Sequence, residues 1–313
     1  SNVWQQYQQA ASSHASLVIG PLDKTSVQIL ADAEELPIPV LALNRLGNQI
    51  HKDNLFQFGL APEDDAIAAA NYAIEQGHQR AVLISPSGDW GKRVADAFSD
   101  KWLDNGGTLL NQAFYDESQS DFSTIIKPLL GLDASTQRQQ SLKQTLGGSL
   151  EFEPRRRQDI DFLFLVARPL KARQLIPQLK FHRSGQLPVI ATSHAYTGQE
   201  NSQQDIDLNG LILNDIPWIF EDVALTDPSY IALKNASPQH FDKFIRLYAL
   251  GADAYRLIPQ LNGMSRSSDL RFEGATGVLS IDEIGHLNRE TRWAKFSHGK
   301  IKALPPSSQT PNQ

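Results

Sequence analysis

The chain has 313 residues, 41% of them apolar and 20% charged, ordinary proportions for a globular protein able to bury one large core or two smaller ones. A net charge of −6 argues against a nucleic-acid binder, whose surface must neutralise phosphates. The absence of cysteine excludes disulfides, thiolate nucleophiles and cysteine-based zinc sites, and no apolar run approaches the roughly 18 residues that span a bilayer.

The chain opens with Ser1 and Asn2, and its single methionine is Met264, so it reads as a domain of a longer protein. Any signal peptide or lipid-attachment cysteine would then lie upstream. The first apolar run, 16–20, predicts a strand. Pro21 is expected to open a helix to about residue 36, since proline suits a first turn. A strand follows at 40–43 and an alternating run at 56–60. Glu63, Asp64 and Asp65 then mark a helix N-terminus, where the dipole favours carboxylates, and that helix reaches Glu75.

The same alternation continues. Strands are predicted at 80–84, 108–114, 162–166 and 188–191, with helices at 89–103, 122–130 and 169–181. The 162–166 run has no polar residue, as expected of a strand covered on both faces. Strands alternating with helices imply parallel sheets and right-handed crossovers. Two stretches break the rhythm. The segment 131–161, with Gly147, Gly148 and the run Arg155, Arg156, Arg157, is long for a connector. The tail 305–313 is polar and proline-rich and is expected to be flexible.

A long amphipathic helix is predicted at 241–261, with Leu247, Tyr248, Gly251 and Tyr255. After it, Gly274 and Gly277 bracket a close approach to a strand at 278–281, and Asp282 and Gly285 turn the chain toward another extended run at 293–296. That order resembles the carboxy-terminal part of type I periplasmic binding proteins. Ile19, Gly20 and Pro21, the segment 88–93 and the segment 209–213 extend the resemblance over nearly the whole chain. It implies an α/β fold of two lobes, parallel sheets flanked by helices, with a cleft between them. The expected N-lobe is 1–79 with 236–286, and the expected C-lobe 80–235 with 287–304. Only about fifteen residues precede the first strand, so the family's first strand and helix are expected to be missing.

Within that fold the chain resembles outer-membrane lipoproteins of Gram-negative bacteria that activate a class A penicillin-binding protein. The strings 20–22, 40–44, 58–65, 153–157 and 246–255 carry this resemblance. It implies a non-enzymatic regulator of peptidoglycan synthesis, held in the periplasm by a lipid anchor in the inner leaflet of the outer membrane. The implied partners are a class A penicillin-binding protein and peptidoglycan, with no cofactor. The alternative reading is a periplasmic receptor for an amino acid or a cell-wall fragment bound between the lobes.

Loops after strands line the cleft of open α/β lobes. They nominate Asn44, Arg45, Ser85, Asp89, Arg168, Ser193 and His194, and the resemblance adds Asn209 at a position where related proteins place a ligand-contacting carboxylate. Serine and asparagine would orient a ligand, and Arg45 or Arg168 would clamp a carboxylate. The blander reading makes them loop residues and helix caps, with Ser87 and Asp89 capping the helix from Trp90. Arg155, Arg156 and Arg157 are candidate partner contacts, although Glu151 and Glu153 partly balance them. Trp218 and Phe220 suit either an exposed interface or a core. The eight histidines show no metal-ligand spacing, and neither a nucleophile elbow nor a phosphate loop is present.

Overall fold

The computed structural model describes residues 2–47, 50–146 and 155–305. Helix α1 (Val3–Ser12) precedes the short strand β1 (Val18–Ile19), so the residues before β1 form a helix rather than lacking one. Helix α2 (Lys24–Ala31) follows, then β2 (Val40–Ala42) and β3 (Leu55–Gln57). α2 begins at Lys24 and not at Pro21, because Asp23 is its cap and accepts the Ser26 N–H at 2.9 Å.

Next come α3 (Pro62–Glu75), β4 (Arg80–Pro86), α4 (Asp89–Asp104), β5 (Thr108–Tyr115), α5 (Ser123–Leu129) and α6 (Leu132–Leu146). They lead to β6 (Phe162–Leu165), α7 (Pro169–Leu179), β7 (Val189–Ala191), the short α8 (Ser202–Asp205) and β8 (Leu211–Asp215). A helical stretch holds α9 (Glu221–Ala224), α10 (Pro228–Ala236), α11 (Ile245–Arg256) and α12 (Leu261–Met264). Five strands close the chain: β9 (Phe272–Glu273), β10 (Val278–Ile281), β11 (Leu287–Glu290), β12 (Arg292–Ser297) and β13 (Lys300–Ala303). The helix expected at 241–261 is thus α11 and α12, with a separate 3-10 turn at Asp242–Phe244.

The chain divides into two units, 1–61 with 216–292 and 62–215 with 293–313. These bounds differ from the expected lobes at each crossing. α3 joins the second unit because Ala66, Ala69, Ala70 and Ala73 are buried with Val94 and Phe98 of α4 and Phe164 of β6. Residues 216–235 join the first because Ile216, Trp218 and Tyr230 are buried with Phe241 and Ile245. β11 stays in the first unit because it pairs antiparallel with β10, Val278 opposite Glu290.

The first unit contains a parallel three-stranded sheet in the order β1-β2-β3 and an antiparallel one in the order β11-β10-β9. Alternation along β2 serves two cores. Val40 and Ala42 pack with Tyr7, Val27 and Leu30, whereas Leu41 packs with Phe58, Leu250 and Leu279. Asp253 of α11 is fully buried and accepts the N–H groups of Ala275 and Thr276, both at 2.7 Å, and the Thr276 hydroxyl at 2.6 Å. A Cβ at Gly274 would stand 2.6 Å from that carboxylate. Gly277 has φ +145°, and a Cβ there would stand 2.6 Å from the Glu290 carbonyl oxygen. Both glycines therefore make the close approach that the sequence suggested.

The second unit is built on a seven-stranded sheet in the order β13-β12-β8-β7-β6-β4-β5. β4 to β8 are parallel, and β12 and β13 form an antiparallel hairpin. Every residue of β6 is buried. Phe162 and Phe164 meet α4, the Phe164 ring stacking on Phe98 at 4.0 Å. Much of the irregular-looking 131–161 segment is α6, and past it the Arg157 N–H donates to the carbonyl of Leu130, the residue that ends α5, at 2.9 Å. Gly147, Gly148, Glu151, Glu153 and the tail after residue 305 lie outside the described residues.

Candidate functional site

In the second unit, loops leaving β4, β6 and β7 converge at the carboxyl end of the sheet, since these strands run parallel. This brings Ser85, Asp89, Arg168, Ser193 and His194 to one end. Their roles differ. Ser85 is buried and donates its hydroxyl to the Gly91 carbonyl at 2.8 Å, which ties β4 to the first turn of α4. Asp89 is exposed, and neither it nor Ser87 caps α4. The cap is Gly88, and no side chain bonds there.

The Arg168 guanidinium lies 4.8 Å over the Trp90 ring, and its Nε is 3.5 Å from Glu117 Oε1. The His194 ring is tilted against the same Trp90 ring, 5.6 Å between their centres. Ser193 donates its hydroxyl to Asp65 Oδ2 at 2.5 Å, and His194 Nδ1 stands 3.8 Å from the same oxygen. The serine proton is therefore directed to a carboxylate and not to the imidazole, so Ser193 and His194 do not form a nucleophile and its base. Asp65 is buried in the first turn of α3 and organises this corner. The sequence showed it only as one of three acids at a helix start, with no mark to separate it from Glu63 and Asp64.

Asn209 does not join this group. It precedes β8 and so lies at the amino end of the sheet, opposite the loops after β4, β6 and β7. Its side-chain oxygen accepts the Gly299 N–H at 2.9 Å and its carbonyl accepts Lys180 Nζ at 2.7 Å. The first of these bonds holds the β12–β13 turn, and the expected ligand contact is corrected to a turn anchor.

Asn44 and Arg45 belong to the first unit. Asn44 donates to the Leu22 carbonyl at 2.7 Å and accepts the Arg45 N–H at 2.9 Å. Arg45 Nη2 reaches His286 Nδ1 at 3.1 Å. Both side chains thus brace the loop after β2.

The arginine run is split by its own neighbours. Arg157 makes a bidentate pair with Asp159 at 2.7 and 2.6 Å, and Arg156 donates to the Arg157 carbonyl at 3.0 Å. Arg155 is the exposed member. Trp218 and Phe220 are buried, so this pair is core and not an exposed interface. Trp218 donates its indole N–H to Asp227 at 2.8 Å.

One surface feature went unread. Between α10 and α11 runs an open apolar groove of about 600 Å³, lined by Leu233, Phe244, Leu247, Tyr248, Gly251 and Tyr255 among others. The sequence offered a signal: apolar residues on both faces of a helix that needs only one buried face. Among the described residues no three His, Asp or Glu side chains stand together as a metal site, and no helix is long and apolar enough to cross a membrane.

The model of the LppC lipoprotein family matches residues 2–299. The chain belongs to the LppC lipoprotein family. Curated relatives bear the name penicillin-binding protein activator LpoA. The one from Klebsiella pneumoniae is 30% identical over 301 residues, covering 94% of this chain and 42% of the relative. The one from Vibrio antiquarius is 29% identical over 299 residues, covering 92% and 48%. The chain thus spans about half the length of the curated relatives it matches.

Among solved structures, the LpoA C-domain from Haemophilus influenzae, described as a regulator of PBP1A, superposes with a TM-score of 0.71 at 27% identity. The match covers 97% of this chain and 86% of that one. Full-length LpoA from the same organism gives 0.72 and is covered to 51%. A solute-binding protein from R. palustris in complex with 4-hydroxybenzoate gives 0.56 at 13% identity, which shows the shared periplasmic-binding-protein fold alone.

Proposed function

We propose that this chain is the C-domain of a non-enzymatic activator that binds a class A penicillin-binding protein and raises its peptidoglycan synthesis. The observation that carries this reading is the match to the Haemophilus influenzae C-domain over 97% of this chain and 86% of that one. The site chemistry agrees with it. Ser193 is committed to Asp65, Ser85 to a backbone carbonyl, and Asn209 and Asn44 to local turns. These four side chains hold the fold rather than converge on a reacting atom.

An activator of this kind acts by binding one conformation of its enzyme more tightly than another, since only differential affinity shifts a population. The family's lipoprotein character supports a periplasmic protein tethered to the outer membrane, where peptidoglycan and its synthases are within reach. The test is direct binding of the purified chain to a purified class A penicillin-binding protein from the same organism. Saturable binding supports the reading. No binding at concentrations up to tens of micromolar, with both partners folded, removes it.

A second reading rests on Trp90, Arg168 and His194, whose rings and guanidinium gather at the carboxyl end of the second unit's sheet. Such a group could hold a carboxylated small molecule. Arg168 already faces Glu117, however, so a carboxylate ligand would have to displace that partner. Calorimetry with amino acids and muropeptides separates the two readings.

A further inference from the structure

We propose that the groove between α10 and α11 receives an amphipathic helix of the penicillin-binding protein, laid along α11 with a carboxylate at its Lys243 end. This rests on the partner assigned above and adds the surface and the kind of element that fills it.

The two groove helices are antiparallel. Arg256 at the end of α11 pairs with Asp227, the cap of α10, and Tyr248 near the start of α11 donates to Ser237 past the end of α10, at 2.8 Å. Two antiparallel helices leave a linear furrow, and the furrow wall along α11 is apolar and open. Leu247 is 51% exposed and Tyr255 73% exposed. Exposed apolar patches of this kind on a monomer mark interaction sites.

The spacing selects a helix as the occupant. Phe244, Tyr248, Gly251 and Tyr255 follow one another by four, three and four residues, the seam of helix-on-helix packing. The run is about 16 Å long, or about three helical turns. An extended peptide would need free backbone groups to pair with, and the wall of a helix supplies none.

Gly251 points the same way. Glycine weakens a helix interior relative to alanine. A Cβ built there meets nothing within 4 Å, and its φ is not in the left-handed region, so nothing inside the protein requires glycine. With Ala252 beside it, it leaves a low floor on which a second helix backbone can approach closely.

Charge sets the occupant's polarity. At the Tyr255 end Arg256 is held by Asp227, and on the rim Lys234 stands 3.7 Å from Asp242. At the Phe244 end Lys243 lies 5.1 Å over the Phe244 ring and has no carboxylate partner among the described residues. A glutamate or aspartate, or the negative end of a helix dipole, is the complement of that lysine.

The test uses the intact chain and the intact synthase. Gly251→Leu fills the groove without touching the fold, so its melting temperature should match or exceed that of the parent while its affinity falls at least about tenfold. Tyr255→Glu, at a largely exposed position, should weaken binding similarly. Lys243→Glu should slow association and flatten its salt dependence. A photo-crosslinker at position 247 should capture a helical segment of the synthase. If the parent binds and all three variants bind equally well, or if the crosslinker captures only a second copy of this chain, the groove is not the seat and the function assigned above still stands. If the parent itself does not bind, that function fails and this proposal with it.

Discussion

The Asp227 carboxylate and the Arg256 guanidinium form a two-pronged ion pair, Nη1 to Oδ2 at 3.0 Å and Nη2 to Oδ1 at 2.5 Å. The same carboxylate takes the Trp218 indole N–H and, as cap of α10, the Ser229 N–H at 2.8 Å each. One aspartate therefore fastens the start of α10, the end of α11 and the aromatic core beneath them.

Burial alone would raise the Asp227 pKa, but Arg256, Trp218 and the Ser229 N–H outweigh it and hold it below the ordinary aspartate value. Its contribution is fully present above the unfolded value, about 3.9, and is lost as pH falls through the lower folded value. Asp227→Asn should cost about 2–3 kcal/mol at neutral pH, because it leaves a half-buried guanidinium short of its partner. Urea titrations of parent and variant should converge as the pH drops below about 4. A gap that stays constant with pH would show that the pair is not the source.

Gly277→Val should destabilise the first unit by about 3 kcal/mol or more. A β-branched residue at positive φ costs about 1–3 kcal/mol, and the clash with the Glu290 carbonyl adds to it. The check is the denaturant midpoint, and an unchanged midpoint would mean that the close approach of this segment to β11 carries no constraint.

Gly251→Ala should do the opposite. It lies on an exposed helix face with open space above it, so alanine should stabilise α11 by about 0.5–1 kcal/mol. Thermal melts of this pair separate a glycine retained for a binding partner from one that the fold needs.

Asp253→Ala should cost about 2–4 kcal/mol, since it strands the N–H groups of Ala275 and Thr276 in the core. Asp253→Asn should recover only part of the loss, because an amide keeps one acceptor oxygen. Equal loss in both variants would mean that packing, not hydrogen bonding, holds this turn.

Much of the fold was readable where local pattern and tertiary demand agree. The apolar run of β6 and the two glycines before β10 were recognisable because each has one physical solution. The lobe limits were less so. α3 looks the same in sequence whichever unit it packs on, and only the burial of its alanines against α4 and β6 decides. Pro21 suggested a helix start, but Asp23 offered the better cap. At the candidate site, residue type located the strand-end loops yet said nothing about partners. Ser193 looked free until Asp65, 128 positions away in sequence, proved to be its acceptor. Asn209 was misplaced because the loop before a strand and the loop after it lie at opposite ends of a parallel sheet.

The central claim is that this chain turns up a peptidoglycan synthase by binding it. The direct measurement is the initial rate of glycan polymerisation and cross-linking by a purified class A penicillin-binding protein, with the chain titrated from zero to saturation. The account predicts a saturable rise in rate, no product from the chain alone, and an unchanged response in Ser193→Ala. An unaltered rate at saturating chain, or product formed by the chain without the synthase, would contradict it.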